Sequence, residues 1–326
     1  MTVIVTGVAG FIGMHVAAAL LDRGESVVGI DNMNDYYDPK LKEARLENLS
    51  GREGFHFQQC DLDDKEAVFA LFDAHPSIDR AVHLGAQAGV RYSLIDPFAY
   101  IRSNVMGHVV MMEAARARKG FKHFVYASSS SVYGGNEKMP FSIDDRVDEP
   151  VSLYAATKKA DELMTSCYAH LFDIPSTGLR FFTVYGPWGR PDMSPWLFTE
   201  AILSGKPIKV FNHGDMKRDF TYIDDIVDGV LRALDRPPVA KDGERPHKVY
   251  NLGNHNCEQL LDYIAVIEKA CGVVAEKNMM DMQPGDVPAT WADIEASKRD
   301  LGFEPTTPME VGIPKFVEWF RGYTGL

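Results

Sequence analysis

Short apolar, β-branched runs alternate along this chain with longer segments whose apolar residues recur every three to four positions. TVIVTG breaks at a glycine, FIGMHVAAALLDRG continues with helical spacing, and SVVGID is strand-like again. The order then repeats: FHFQQCDL, a helix around 64–75, RAVHLGA, a long helix near 97–119, KHFVYASSS, a helix from 153 to 172, and STGLRFFTVYG. Strands and helices alternating in units of roughly 30 residues predict an α/β fold, a doubly wound parallel sheet of Rossmann type. After Tyr185 the texture changes. GPWGRPDMSPW is rich in proline, glycine and tryptophan, a loop composition that often lines sites. KVYNLG at 248–253 reads as one more strand, so the chain passes between two lobes. The pattern assigns 1–187 and 219–251 to a dinucleotide-binding lobe, and 188–218 with 252–326 to a smaller α/β lobe that binds substrate.

Composition narrows the function. The formal charge of −12 opposes a nucleic-acid or anionic-membrane surface, because phosphate binding on that scale needs a basic face. The four cysteines are scattered without a CxxC pair, and the ten histidines lack metal-ligand spacing, so no metal is expected. With a strand-like run from the second residue and no stretch long enough for a membrane span, neither a signal peptide nor a span is expected. The expectation is a cytoplasmic protein acting on a small molecule.

GVAGFIG places Gly7, Gly10 and Gly13 between the first strand and the first helix, with Phe11 and Ile12 among them. Glycines there permit a tight turn and let backbone N–H groups approach a pyrophosphate. Asp31 closes the second strand 18 residues after Gly13. Its carboxylate suits both hydroxyls of an adenosine ribose and repels a 2′-phosphate, which favours NAD over NADP.

SLYAATKKADEL puts Tyr154 and Lys158 on one helical face. Tyr36 and Lys40 have the same spacing, but Pro39 interrupts that pair within a turn-like DYYDPK. A tyrosine of ordinary pKa about 10 works as a base near neutrality only if cations favour its phenolate. A shift of about 3 units needs roughly 4 kcal/mol, which a lysine and an oxidised nicotinamide in a dry site can supply.

GVAGFIG, Asp31, SSSSVYG at 128–134 and YAATK together resemble the extended short-chain dehydrogenase/reductase family, in particular its nucleotide-sugar epimerases and dehydratases. HLGAQAG, RSNVMG, RDFTYIDDIVDGV and QPGDVPATWAD extend the resemblance over essentially the whole chain. It implies tightly bound NAD, oxidation of a sugar C4 and return of the hydride. It also implies catalytic roles for Ser129, Tyr154 and Lys158. Cofactor contacts follow for Asn32, Asp61, Leu62, Leu84, Gly85, Ala86 and Asn104, besides the glycine turn and Asp31. Similar dehydratases carry an acidic pair where this chain has Ser130 and Ser131, and serine cannot move those protons near neutral pH. The implied reaction is therefore epimerisation.

YGPWGRPDM, DNMNDYYD and AQAGVRYS are similar to the UDP-glucuronate 4-epimerases of that family, which interconvert UDP-glucuronate and UDP-galacturonate. The resemblance makes Arg190 a candidate for the sugar carboxylate, alone or with the backbone and hydroxyls around Thr183 and Ser194. For the nucleotide it points to Arg218, Phe211 and Asp286. Gln283 stands where many UDP-galactose 4-epimerases carry a second arginine, which leaves full neutralisation of the diphosphate open. The alternatives are a UDP-glucose/UDP-galactose 4-epimerase, a nucleotide-sugar dehydratase or decarboxylase, and a non-catalytic NAD-sensing protein. Apolar residues on more than one side of the 153–172 helix, with the pairing of that helix in similar enzymes, make a homodimer the expected assembly.

Overall fold

The computed structural model describes residues 1–240, 243–283 and 286–326. Twelve strands form three sheets: β1 Thr2–Thr6, β2 Ser26–Asp31, β3 Phe55–Gln59, β4 Ile78–His83, β5 His123–Ser129, β6 Ser176–Phe181, β7 Thr183–Tyr185, β8 Ile208–Val210, β9 Lys217–Tyr222, β10 His247–Leu252, β11 Cys257–Gln259 and β12 Lys277–Met279. The helices that precede β6 are α1 Phe11–Asp22, α2 Pro39–Glu47, α3 Lys65–Ala74, α4 Pro97–Tyr100, α5 Gly107–Ala117 and α6 Leu153–Phe172.

The large sheet runs β10-β6-β5-β4-β1-β2-β3, and every pairing in it is parallel. Alternation along each strand divides the core between its two faces. Val3, Val5 and Val125 pack into one cluster, while Ile4, Phe124 and Tyr126 pack into the other against α3 and α5. Strand order reverses between β1 and β4, and in open sheets of this kind ligands sit beyond the carboxyl ends of the strands at such a point. The other two sheets are small, β11-β9-β7 and β12-β8.

Two elements differ from the sequence pattern. The expected strand STGLRFFTVYG is two strands in two sheets. Phe182 still donates its N–H to the Leu252 carbonyl of β10, yet Thr183 already pairs with Phe220 of β9. The expected helix near 97–119 is broken by a π-helical turn over Ile101–Met106, so that α4 and α5 are separate. Gly107 follows that turn, where a Cβ would lie 2.7 Å from Leu62 Cβ. The helix of 153–172 is continuous, started by Ser152, whose side chain accepts from the Ala155 N–H. No helix among the described residues is long and apolar enough to cross a membrane.

The helix α6 turns an unusual face to the sheet. Its buried residues include Thr157, Lys158, Asp161, Glu162 and Thr165, while Leu163 and Leu171 are about 60% exposed. Glu162 is held by Arg180 of β6 through two hydrogen bonds, Nε to Oε1 at 2.8 Å and Nη2 to Oε2 at 2.9 Å. Ser128 donates to the same Oε1 at 2.7 Å, and Arg180 Nη1 donates to the Tyr133 hydroxyl at 3.0 Å. Burial works against both charges, but the pairing prevails: Glu162 is held below its ordinary pKa and Arg180 above. Replacing Glu162 by alanine leaves a guanidinium buried without its partner. The expected loss is about 3–5 kcal/mol of unfolding free energy in urea titrations. A loss under about 1 kcal/mol would show that the pair does not hold α6.

Candidate active site

Three segments that are distant in sequence meet above the carboxyl ends of β1, β4 and β5. The first is the glycine turn. Gly7 adopts φ +68°, and a Cβ there would lie 2.9 Å from the Gly85 backbone. A Cβ on Gly13 would collide with the Gly7 carbonyl oxygen, so turn and helix close on each other only because both are glycine. No side chain caps α1, whose first-turn N–H groups stay available to an anion. Phe11 is buried and Ile12 half-buried on this first turn.

Asp31 ends β2, with Oδ2 accepting from Ala9 N at 3.2 Å and Oδ1 from Met33 N at 2.9 Å. These bonds fix the carboxylate beside the turn. Lys42 Nζ lies 3.5 Å from Oδ1, and burial holds its pKa below the ordinary lysine range although Asp31 raises it. Asn32 donates to Asp61 at 2.7 Å, which joins β2 to the segment after β3. A Cβ on Gly85 would lie 2.7 Å from Leu62 Cδ1, and Gly85 N donates to Thr6 Oγ1 at 2.9 Å. Leu84 and Ala86 flank that glycine directly after β4. An uncapped helix start, backbone packed too tightly for any Cβ and a fixed carboxylate at the end of β2 fit a dinucleotide.

Asn104 lies beneath this part of the site. It is 1% exposed, accepts from Gln87 N at 2.8 Å, and donates to Gln87 O at 3.1 Å and Thr157 Oγ1 at 3.0 Å. These bonds brace the segment after β4 against α6.

The second segment is the serine run. Its four hydroxyls have different surroundings. Ser128 serves the Arg180–Glu162 pair. Ser129 ends β5, and its Oγ accepts from Ser131 N at 3.1 Å, capping the short turn Ser130–Tyr133. Ser130 and Ser131 are half-buried and place no carboxylate there. On the facing helix Tyr154 is half-buried, its ring edge-on to Tyr100 at 6.0 Å between centroids. Lys158, one turn later, is buried and donates to Asp161 Oδ2 at 3.1 Å.

The third segment is the loop after β7, which Arg45 of α2 holds in place. Arg45 is fully buried and donates to Trp188 O at 2.7 and 3.1 Å, to Gly189 O at 3.2 Å and to Ala9 O at 3.2 Å. One guanidinium thus joins the glycine turn to the loop that presents Arg190. Arg190 donates to Asp192 through Nε at 3.0 Å and Nη2 at 2.5 Å, and Asp192 also accepts from the Tyr36 hydroxyl at 3.1 Å. Burial disfavours the charge of Arg190, but Asp192 raises its pKa above the ordinary arginine value. Tyr100 OH and Asp192 Oδ2 lie 3.7 and 3.8 Å from the point a Gly89 Cβ would occupy. The arginine–carboxylate pair therefore sits near the ring that packs on Tyr154. Tyr36, spaced from Lys40 like a second catalytic pair, belongs to this cluster instead. Thr183 opens β7, half-buried.

Phe211 and Asp286 meet at one residue that sequence reasoning did not single out. Arg91 stacks on the Phe211 ring at 4.8 Å and pairs with Asp286 at 2.9 Å. Arg218 donates to Lys217 O at 2.8 Å and Pro288 O at 3.1 Å. Burial lowers its pKa, partly offset by Asp286, and Arg91 lowers it further. The two guanidiniums are thus near enough for one to depress the other. Arg91 lies in the quoted AQAGVRYS, and its signal was only that stretch. Among the described residues no group of three or more His, Cys, Asp and Glu is placed to hold a metal ion.

Gly13→Ala drives a methyl group into the Gly7 carbonyl. NAD affinity is expected to fall roughly tenfold or more, the equivalent of about 1.4 kcal/mol. The check is the NAD released per protein on denaturation, followed by titration with NAD. Unchanged retention would contradict the role given to the turn.

Residues 3–253 match the NAD dependent epimerase/dehydratase family. UDP-glucuronate 4-epimerase 1 of Arabidopsis thaliana is 48% identical over 334 residues, with 99% of this chain and 77% of that protein covered. A probable UDP-glucuronate 4-epimerase of Rhizobium meliloti is 46% identical, with 98% of this chain and 97% of that one covered. Among solved structures, the UDP-glucuronic acid 4-epimerase of Bacillus cereus in complex with UDP-glucuronic acid and NAD superposes with a TM-score of 0.90 at 35% identity, covering 99% and 100% of the two chains. The glycine turn, the Tyr154–Lys158 helix and this coverage lead to one conclusion: the chain belongs to the NAD dependent epimerase/dehydratase family.

Proposed function

We propose that this protein is an NAD-dependent 4-epimerase that interconverts UDP-glucuronate and UDP-galacturonate. The observation that carries the acidic-sugar reading is Arg190, held by Asp192 and the Arg45-anchored loop beside the tyrosine cluster at Tyr154. The relatives with 46–48% identity that bear the UDP-glucuronate 4-epimerase name support it.

NAD supplies the two-electron acceptor at C4 and later returns the electrons. The chain's own residues manage protons and charge. Tyr154, as phenolate, takes the proton of the sugar O4 hydroxyl; Lys158 favours the phenolate; and Ser129 shares the O4 hydrogen bond. Ser130 and Ser131 lack a carboxylate to deprotonate C5 or protonate a leaving hydroxyl, so the 4-keto sugar does not eliminate water.

A 4-keto uronic acid is a β-keto acid. It loses CO₂ when the C5–carboxylate bond aligns with the carbonyl π system. A guanidinium binds a carboxylate in a defined plane. Asp192 takes the Nε and Nη2 edge of Arg190 and holds the guanidinium for the sugar carboxylate, with Thr183 alongside. Arg218 and Arg91 take the diphosphate, and Phe211 and Asp286 the uridine side. The two-lobe division at 1–187 with 219–251, and 188–218 with 252–326, follows from the same reading: cofactor in one lobe, nucleotide sugar in the other.

The protein is proposed to act as a homodimer. On α6 Leu163, Cys167, Leu171 and Phe172 are exposed, and on the neighbouring segment Phe98 is 71% and Met106 53% exposed. An apolar face of this kind on two adjacent helices is suited to a second copy. Four free thiols fit the reducing cytoplasm, where the protein is proposed to work.

Purified protein incubated without added NAD, separately with UDP-glucuronate and with UDP-glucose, tests the reading by proton NMR. UDP-galacturonate is expected from the first and no UDP-galactose from the second. Conversion of UDP-glucose with UDP-glucuronate untouched would overturn the acidic-sugar reading. In Arg190→Ala the KM for UDP-glucuronate is expected to rise roughly 10–100-fold, as for a charged contact of about 1.5–3 kcal/mol, with a decarboxylated UDP-pentose among the products.

A further inference from the structure

Behind the catalytic candidates, on the inward side of α6, lies a cluster of ionisable groups to which the mechanism above gives no task. Asp161 is 1% exposed; one carboxylate oxygen accepts from Lys158 Nζ at 3.1 Å. The other, Oδ1, is buried without a hydrogen-bond partner, and so is His108 Nδ1 on α5. These two orphaned atoms face each other at 4.0 Å. The other nitrogen of His108 is bonded to Thr165 Oγ1 at 2.7 Å, so the imidazole is fixed in place.

We propose that Asp161 is a positioning residue and internal counter-ion for Lys158, setting how much positive potential the ammonium exerts on the Tyr154 phenol, with His108 as the neighbour toward which its second oxygen points. This rests on the reading of Tyr154 and Lys158 as the catalytic pair. Lys158 stabilises a phenolate through its charge, and a carboxylate in contact with the ammonium cancels part of that field. In a dry interior such cancellation is poorly screened.

The surroundings make the cancellation dependent on pH. Burial raises the Asp161 pKa to about 6, Lys158 lowers it, and Glu162 raises it again. Glu162 is already committed to Arg180 of β6. From the other elements His108 is held neutral by burial, as is His83 of β4, whose ring lies 5.3 Å from it. Tyr126 of β5 packs on His108, and burial pushes its phenol well above the ordinary range. His247 of β10 bonds the Tyr126 hydroxyl, and burial lowers its pKa to about 4. No other cation in this group opposes Asp161. While ionised, the carboxylate tempers Lys158; once it takes up a proton the ammonium acts unopposed.

Asp161→Asn keeps an acceptor for Lys158 and removes the charge. The acid limb of the kcat–pH profile, which reports the phenolate, is expected to move down by about one pH unit. Asp161→Ser, smaller and also uncharged, is expected to shift it the same way, and Asp161→Glu to restore it. The ultraviolet phenolate band of the holoenzyme, taken as the difference from Tyr154→Phe, reads the same titration without substrate. It therefore stands even if UDP-glucuronate is not turned over. A limb and a phenolate titration unmoved in whichever uncharged variants fold would overturn the proposal, whatever happened to stability.

Discussion

The buried ion pair between Arg180 and Glu162 is the constraint on which the rest of the site depends. A helix lying on a parallel sheet normally turns apolar side chains inward. The helix α6 instead buries a lysine, an aspartate, a glutamate and two threonines. Burying those charges is unfavourable unless each is met by a partner in good geometry. Arg180 meets Glu162 in the bidentate arrangement that suits a carboxylate, and Ser128 and Tyr133 complete the shell. The pair fixes the rotation of α6 about its axis. With Glu162 aimed at β6, Lys158 lies one turn earlier on the same side, and Tyr154 one turn before that.

Two long-range crosslinks then bring the other parts to that helix. Arg45 ties Ala9 of the glycine turn to Trp188 and Gly189, so the loop carrying Arg190 and the cofactor turn share one guanidinium. The change of sheet at Phe182 sends β7 away from β6, from the large sheet into pairing with β9. That step brings the loop over the carboxyl ends of the strands. The outward face of α6 shows the other side of the same trade. With its polar residues committed inward, its leucines are left at the surface, where a second copy of the chain is proposed to cover them.

Much of this was legible in the sequence, because local rules govern it. The βαβ order followed from periodicity, the turn from three glycines with Asp31 behind them, and α6 from its helical pattern over 153–172. What was not legible rests on contacts between distant residues. Both sides of Phe182 are apolar and β-prone, so no periodicity marks the change of sheet. Beside the π turn at Ile101–Met106, Gly107 packs against Leu62, a contact across 45 residues of chain. Arg45 bonds Trp188 and Arg91 pairs with Asp286, contacts too distant in sequence for a local pattern to mark. The bonds of Asn104 to Gln87 and Thr157 likewise follow no local pattern.

The central claim is that the chemistry occurs at C4 alone, with serines where carboxylates would act on C5. The most direct measurement uses UDP-glucuronate deuterated at C4, turned over in ordinary water, and unlabelled substrate turned over in deuterium oxide, both followed by NMR. The expected result is UDP-galacturonate that keeps its C4 deuterium in the first experiment and takes up none at C5 in the second. Loss of the C4 label to solvent, or deuterium at C5, would contradict it.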